Sequence, residues 1–142
     1  MENSSHEEAL LDIHLSKLKL ITRQFYLLGG PVYSPIHIIH QYIDVMSNIR
    51  KLSSDEVIPV QTNTETEAYF KKVQDLAREK TNDFLSGKKD LSEHTIKLIN
   101  IHCINLAHLE NQQQAPDSPH KLPQEATKIL IEQEHENISS LI

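Results

Sequence analysis

Residues 6–28 read HEEALLDIHLSKLKLITRQFYLL, and this stretch decides the fold class. A seam with steps of three and four, the spacing of one helix face, is formed by Leu11, His14, Leu18, Ile21, Phe25 and Leu28. A second apolar stripe recurs at every seventh position and consists of Ile13, Leu20 and Leu27. We therefore expect this helix either to lie at the centre of a bundle or to present one face to another chain.

The rest of the sequence predicts four more helices. We expect the second to start at Pro35, the third near Thr64 at a capping box, and the fourth over about 91–111 with Asp90 as its cap. A last helix is expected over about 123–140. The fourth helix is the most apolar and should be the most enclosed.

These segments predict an all-α fold, an up-down bundle of four main helices plus a tethered C-terminal helix. Residues 1–110 would form the bundle core, with an extended connection at 53–63. Residues 111–122 are polar, contain two prolines and predict a flexible linker. Residues 123–142 would then pack on the bundle or on a partner. Only 3 glycines in 142 residues disfavour turn-rich β architecture.

Charge and composition exclude some classes of binding partner. Asp and Glu number 20 against 14 Lys and Arg, for a net charge of −6, so repulsion from phosphate backbones argues against nucleic acid. No apolar run has transmembrane length and no secretory signal is recognisable, so we expect no membrane contact and a cytoplasmic location. Export without a signal would leave no trace in the sequence. The single cysteine, Cys103, is expected to be a buried and inert thiol.

Three histidine patterns could carry chemistry. His37, His40 and Asp44 lie at helical spacing and are ligand types for zinc or iron, although a solvated face is the simpler interpretation. His14 interrupts the apolar seam, where we expect a core-edge histidine that is hydrogen bonded to a neighbour. The third pattern lies on the fourth helix, where we expect an exposed polar stripe of His94, Lys97, Asn105 and His108.

His94-Thr95-Ile96-Lys97 resembles the His-x-x-Lys-Gly core of histidine phosphotransfer domains, which are small acidic helical proteins. The resemblance implies that His94 would accept a phosphoryl group and that Lys97 would steady it. Leu98 stands where the family has glycine, and His14-Leu15-Ser16-Lys17 gives a second partial match.

The sequence contains no Gly-rich phosphate loop, no nucleophile elbow and no standard zinc spacing, so we expect neither an enzyme nor a cofactor. The leading hypothesis is a small acidic protein-interaction module (an adaptor, chaperone-like or inhibitory binding protein) that buries apolar helix faces. Its partner would be another protein or a second copy of the chain, and the acidic C-terminal region would guide a basic partner. The partner-binding candidates are Leu11, Leu18, Leu20, Phe25, Leu27, Ile131 and Ile138. Phosphotransfer through His94 and metal binding are the alternatives.

Overall fold

The computed structural model describes residues 2–52 and 64–142, and the prediction of an all-α fold is confirmed for them. The five helices are α1 (Glu2–Leu27), α2 (Ile36–Leu52), α3 (Thr64–Leu85), α4 (Glu93–Gln114) and α5 (Gln124–Leu141). One 3-10 turn lies at Pro31–Tyr33, and these described residues include no β-strand. The extended connection expected at 53–63 lies outside them.

The chain divides into two compact units, Met1–Thr66 and Glu67–Ile142. The first contains α1 and α2, and the second contains α4, α5 and all but the first turn of α3. The sequence-based division at 111–122 stays a prediction. Residues 111–114, however, continue α4 rather than leaving it.

In the first unit, α1 and α2 pack as a helical hairpin. Gly29 and Gly30 have positive φ angles of 86° and 129°, and the Gly30 amide donates to the Phe25 carbonyl at 2.8 Å. Glycine adopts this conformation without a Cβ clash, so α1 ends here. The short connection makes the two helices antiparallel, and the rings of Phe25 and Tyr42 pack with centroids 5.7 Å apart.

The apolar seam predicted for α1 faces the interior. Leu18, Ile21 and Phe25 are buried. The buried side of α2 consists of Ile38, Ile39, Tyr42, Val45, Met46 and Ile49. Helix α2 starts at Ile36, one residue later than expected, because the Pro35 carbonyl accepts its first amides. The three- and four-residue spacing therefore located the core face of α1 correctly.

In the second unit, α4 is the enclosed helix. Residues 103–109 are all buried, so this part of the helix is covered around its whole circumference. Its cap differs from the expectation: Ser92, not Asp90, accepts the Thr95 amide at 3.1 Å. Asp90 instead takes a positive φ of 74°, which turns the chain before the helix starts at Glu93.

Helix α5 packs on α4 of the same chain. The Nδ1 atom of His102 lies 2.6 Å from Oε2 of Glu134, and the Asn105 amide donates to Oε1 at 3.2 Å. A hydrogen bond joins the two ends of the connection before α5, since Nζ of Lys121 donates to the Ala115 carbonyl at 2.6 Å. The C-terminal helix is therefore held by α4 in cis.

Candidate functional site

The second stripe of α1 is the largest series of exposed apolar side chains on one helix face among the described residues. Ile13, Leu20 and Leu27 are 50%, 66% and 62% exposed. Positions seven apart lie on the same side of an α-helix, so the three side chains form one row. We call this row, Ile13, Leu20 and Leu27, the α1 stripe.

The structure separates the partner-binding candidates that the sequence could not distinguish. Leu18, Phe25 and Ile138 are almost fully buried within the chain, which corrects their assignment as partner contacts. They lie in the core because their face of the helix is the one that packs inward. Leu11 and Ile131 are half-buried. Of the seven candidates, Leu20 and Leu27 are the well-exposed ones.

The α1 stripe leads into a groove of about 730 Å³ between α1 and α2. Leu20 and Leu27 line it from α1, and Val45 lines it from α2, with Ile21 also contributing. Both helices belong to the first unit, so the groove is a feature of that unit alone. Its size falls in the range of sites that receive a ligand or a side chain of a partner.

The charges at the groove are mostly positive, although the chain as a whole is acidic. Lys17 and Arg23 line it on either side of Leu20, and both are exposed. Asp44 is the acidic residue among the lining residues. Because α1 and α2 are antiparallel, Arg50 and Lys51 in the last turn of α2 lie toward the Lys17 end of the hairpin. Among the residues that line the groove, two are basic, Lys17 and Arg23, and one is acidic, Asp44.

The proposed metal ligands do not come together as a site. No cluster of three His, Cys, Asp or Glu residues with metal-binding geometry occurs within residues 2–52 and 64–142. His37 and Asp44 are exposed and His40 is half-buried on α2, as expected for a solvated face. Asp44 instead lines the apolar groove.

His94 and Lys97 are both exposed in the first turns of α4. The predicted polar stripe ends there, because Asn105 and His108 are 8% and 1% exposed. That part of the expectation was wrong: partners from other helices cover the polar positions further along α4. Asn105 reaches Glu134 of α5, as described above, and His108 reaches Tyr69 of α3.

The contact between Tyr69 and His108 is the feature that sequence reasoning missed. The Tyr69 hydroxyl and Nδ1 of His108 share a short hydrogen bond, and the two rings pack edge to face with centroids 5.9 Å apart. Burial raises the pKa of Tyr69 above its ordinary value, with a smaller opposing effect from the Asn111 side chain. A polar position on the most apolar helix was the one signal that could have indicated it.

Two further residues have no evident reactive role. Cys103 is fully buried, and burial raises the pKa of its thiol, which disfavours the nucleophilic thiolate. Nδ1 of His14 is buried without a hydrogen-bond partner, so the expected bond to a neighbour is not formed by this atom. Neither residue adds to the groove.

No protein family, curated protein or solved structure matches the chain. Within the described part of the chain, no helix combines the length and the apolar character needed to cross a membrane. The α1 stripe and its groove therefore have to be interpreted from their own chemistry.

Proposed function

We propose that this chain is a protein-interaction module that binds an amphipathic helix of a partner along the α1 stripe. One observation carries the proposal: three large apolar side chains stay exposed in a row that continues into a groove. Scattered exposed apolar residues are ordinary, whereas an aligned row next to a groove is typical of helix-in-groove recognition. Adaptor, chaperone-like and inhibitory roles all use such a surface.

The charges around the stripe favour a partner helix that carries carboxylates. Lys17 and Arg23 lie three positions before and after Leu20, so they flank the centre of the row. Acidic residues beside the partner's apolar positions would pair with these cations. Such exposed pairs contribute mainly to orientation and to the rate of association. The expectation that the acidic C-terminal region guides a basic partner stays a prediction.

Three synthetic helical peptides test the proposal. The first two have leucine at every seventh position, with glutamates next to the leucines in the first and lysines there in the second. The third has the first peptide's composition in scrambled order. We expect the full chain to bind the glutamate peptide more tightly than the other two in fluorescence anisotropy. Equal binding of all three peptides, or binding of none, would overturn the proposal.

Variants locate the binding on the stripe. Leu20→Glu should abolish binding of the glutamate peptide and leave the fold intact, because the side chain is exposed. Ile101→Glu on α4 is the matched control: it changes an apolar residue that is 41% exposed and belongs to the second unit. If both variants bind like the original chain, the α1 stripe is not the site.

A second candidate is phosphotransfer, favoured by one observation: His94 and Lys97 are both exposed and one helical turn apart. The test is incubation with an autophosphorylating histidine kinase, followed by assay for acid-labile phosphate that is lost in His94→Gln. Absence of label on the unmodified chain would end this alternative. The up-down arrangement of the four main helices, the cytoplasmic location and the lack of an enzymatic activity stay predictions.

A further inference from the structure

One exposed face of α5 is acidic, whereas the residues that flank the α1 stripe, Lys17 and Arg23, are basic. Ile129 is 53% exposed at the middle of this face. Three exposed glutamates accompany it: Glu125 lies four positions before Ile129, and Glu132 and Glu136 lie three and seven positions after it. These spacings place all three on the same side of the helix as Ile129. We call Ile129 and these three glutamates the α5 acidic face.

We propose that the helix that docks on the α1 stripe is the α5 acidic face of a second copy of this chain. The inference rests on the proposed function and names its partner. Both faces have an exposed apolar residue between two like charges: Leu20 between Lys17 and Arg23, and Ile129 between Glu125 and Glu132. Leucine and isoleucine can be buried together while the four charges pair around them.

A second copy is favoured as the partner because one chain carries both a basic face on α1 and an acidic face on α5. The chain carries a net charge of −6, yet the second half of α1 presents exposed Lys17, Lys19 and Arg23. Leu20, in the first unit, and Ile129, in the second, are both exposed. In a concentrated solution of the chain, every α1 stripe meets the acidic α5 helices of neighbouring copies.

The contact joins two different surfaces, so it is heterologous. Two copies close into a dimer if both contacts form reciprocally, and otherwise each copy recruits the next. Exposed ion pairs are weak and screened by salt, so we expect association that weakens as the salt concentration rises.

Charge reversal tests the pairing directly by sedimentation velocity of the full chain. We expect the unmodified chain to self-associate with rising concentration at low salt. The variant Lys17→Glu/Arg23→Glu and the variant Glu125→Lys/Glu132→Lys should each be monomeric. An equimolar mixture of the two should associate again, because every contact in a mixed complex regains opposite charges.

The matched control is Lys71→Glu/Lys72→Glu on α3, which reverses two exposed lysines that belong to neither face and should associate like the unmodified chain. Thermal denaturation of each variant establishes that it is folded. The proposal is overturned if the unmodified chain stays monomeric at the highest concentration reached, or if mixing the two reversed variants restores nothing. Binding of the glutamate peptide by such a monomer would sustain the proposed function while this inference fails.

Discussion

Helices α1 and α4 have the same sequence pattern but differ in how far their side chains are buried. Each carries apolar residues on more than one face. In α4 residues 103–109 are all buried, whereas Ile101 just before them is 41% exposed. In α1 one face is buried at Leu18 and Phe25, whereas the opposite face stays exposed at Leu20 and Leu27. The number of apolar residues on a helix therefore does not predict whether they are buried within the same chain or left exposed to a partner.

The polar residues of the two helices differ in the same way. On α4, Asn105 and His108 are buried and bonded to side chains of α5 and α3. On α1, Lys17 and Arg23 stay exposed beside the apolar stripe. Buried polar groups need partners that satisfy their hydrogen bonds, so α4 is fixed by its neighbours, whereas the exposed face of α1 is open to a partner.

The largest effect is expected from a cavity in α4. Leu106 is fully buried, so Leu106→Ala should lower the free energy of unfolding by about 2–5 kcal/mol. Urea denaturation followed by far-ultraviolet circular dichroism measures it. A loss below about 1 kcal/mol would mean that the site relaxes or that α4 is less enclosed than described.

A smaller loss is expected where α3 meets α4. Tyr69→Phe removes the hydroxyl that bonds to the buried His108, which should cost about 1–3 kcal/mol. Tyr26→Phe is the matched control, because Tyr26 is 83% exposed and should change nothing measurable. Equal effects of the two substitutions would show that the hydrogen bond does not stabilise the fold.

The same residue should make stability fall at alkaline pH. Burial raises the pKa of Tyr69, so the folded chain holds the phenolic proton more tightly than the unfolded chain. The resulting stability is complete below the ordinary tyrosine pKa of about 10 and is lost as pH rises above it. Urea midpoints measured across this range should fall less steeply for Tyr69→Phe than for the unmodified chain. Parallel curves would contradict the assignment.

Periodicity predicted the helices and the inner face of α1, because that signal is local to each segment. It could not predict the burial of His108 or Asn105, since their partners lie 39 and 29 residues away in the sequence. The cap of α4 was misplaced for a related reason: Asp90 and Ser92 are both good caps, and the positive φ of Asp90 decides between them. Sequence alone identified the α1 stripe as apolar and left its exposure open.

A moderate effect is expected from the hydrogen bond between His102 and Glu134, which joins α4 and α5. His102 and Glu134 are 24% and 13% exposed in their side chains, so solvent screens them only in part. A double-mutant cycle with His102→Gln and Glu134→Gln should give a coupling of about 1 kcal/mol. The control cycle uses Asp75 and Arg78, a highly exposed pair whose coupling should not be resolved. Matching couplings for both pairs would mean that α5 is not held at this point.

The smallest change in stability is expected on the α1 stripe, and it bears most directly on the difference between α1 and α4. Ile13→Gln, Leu20→Gln and Leu27→Gln each replace an exposed side chain, so each should change the free energy of unfolding by no more than about 0.5 kcal/mol. Leu18→Ala is the matched control on the buried face and should cost about 2–5 kcal/mol. If the stripe variants lose as much as Leu18→Ala, the chain itself covers the stripe. Helix α1 would then resemble α4, and no surface would be left for a partner.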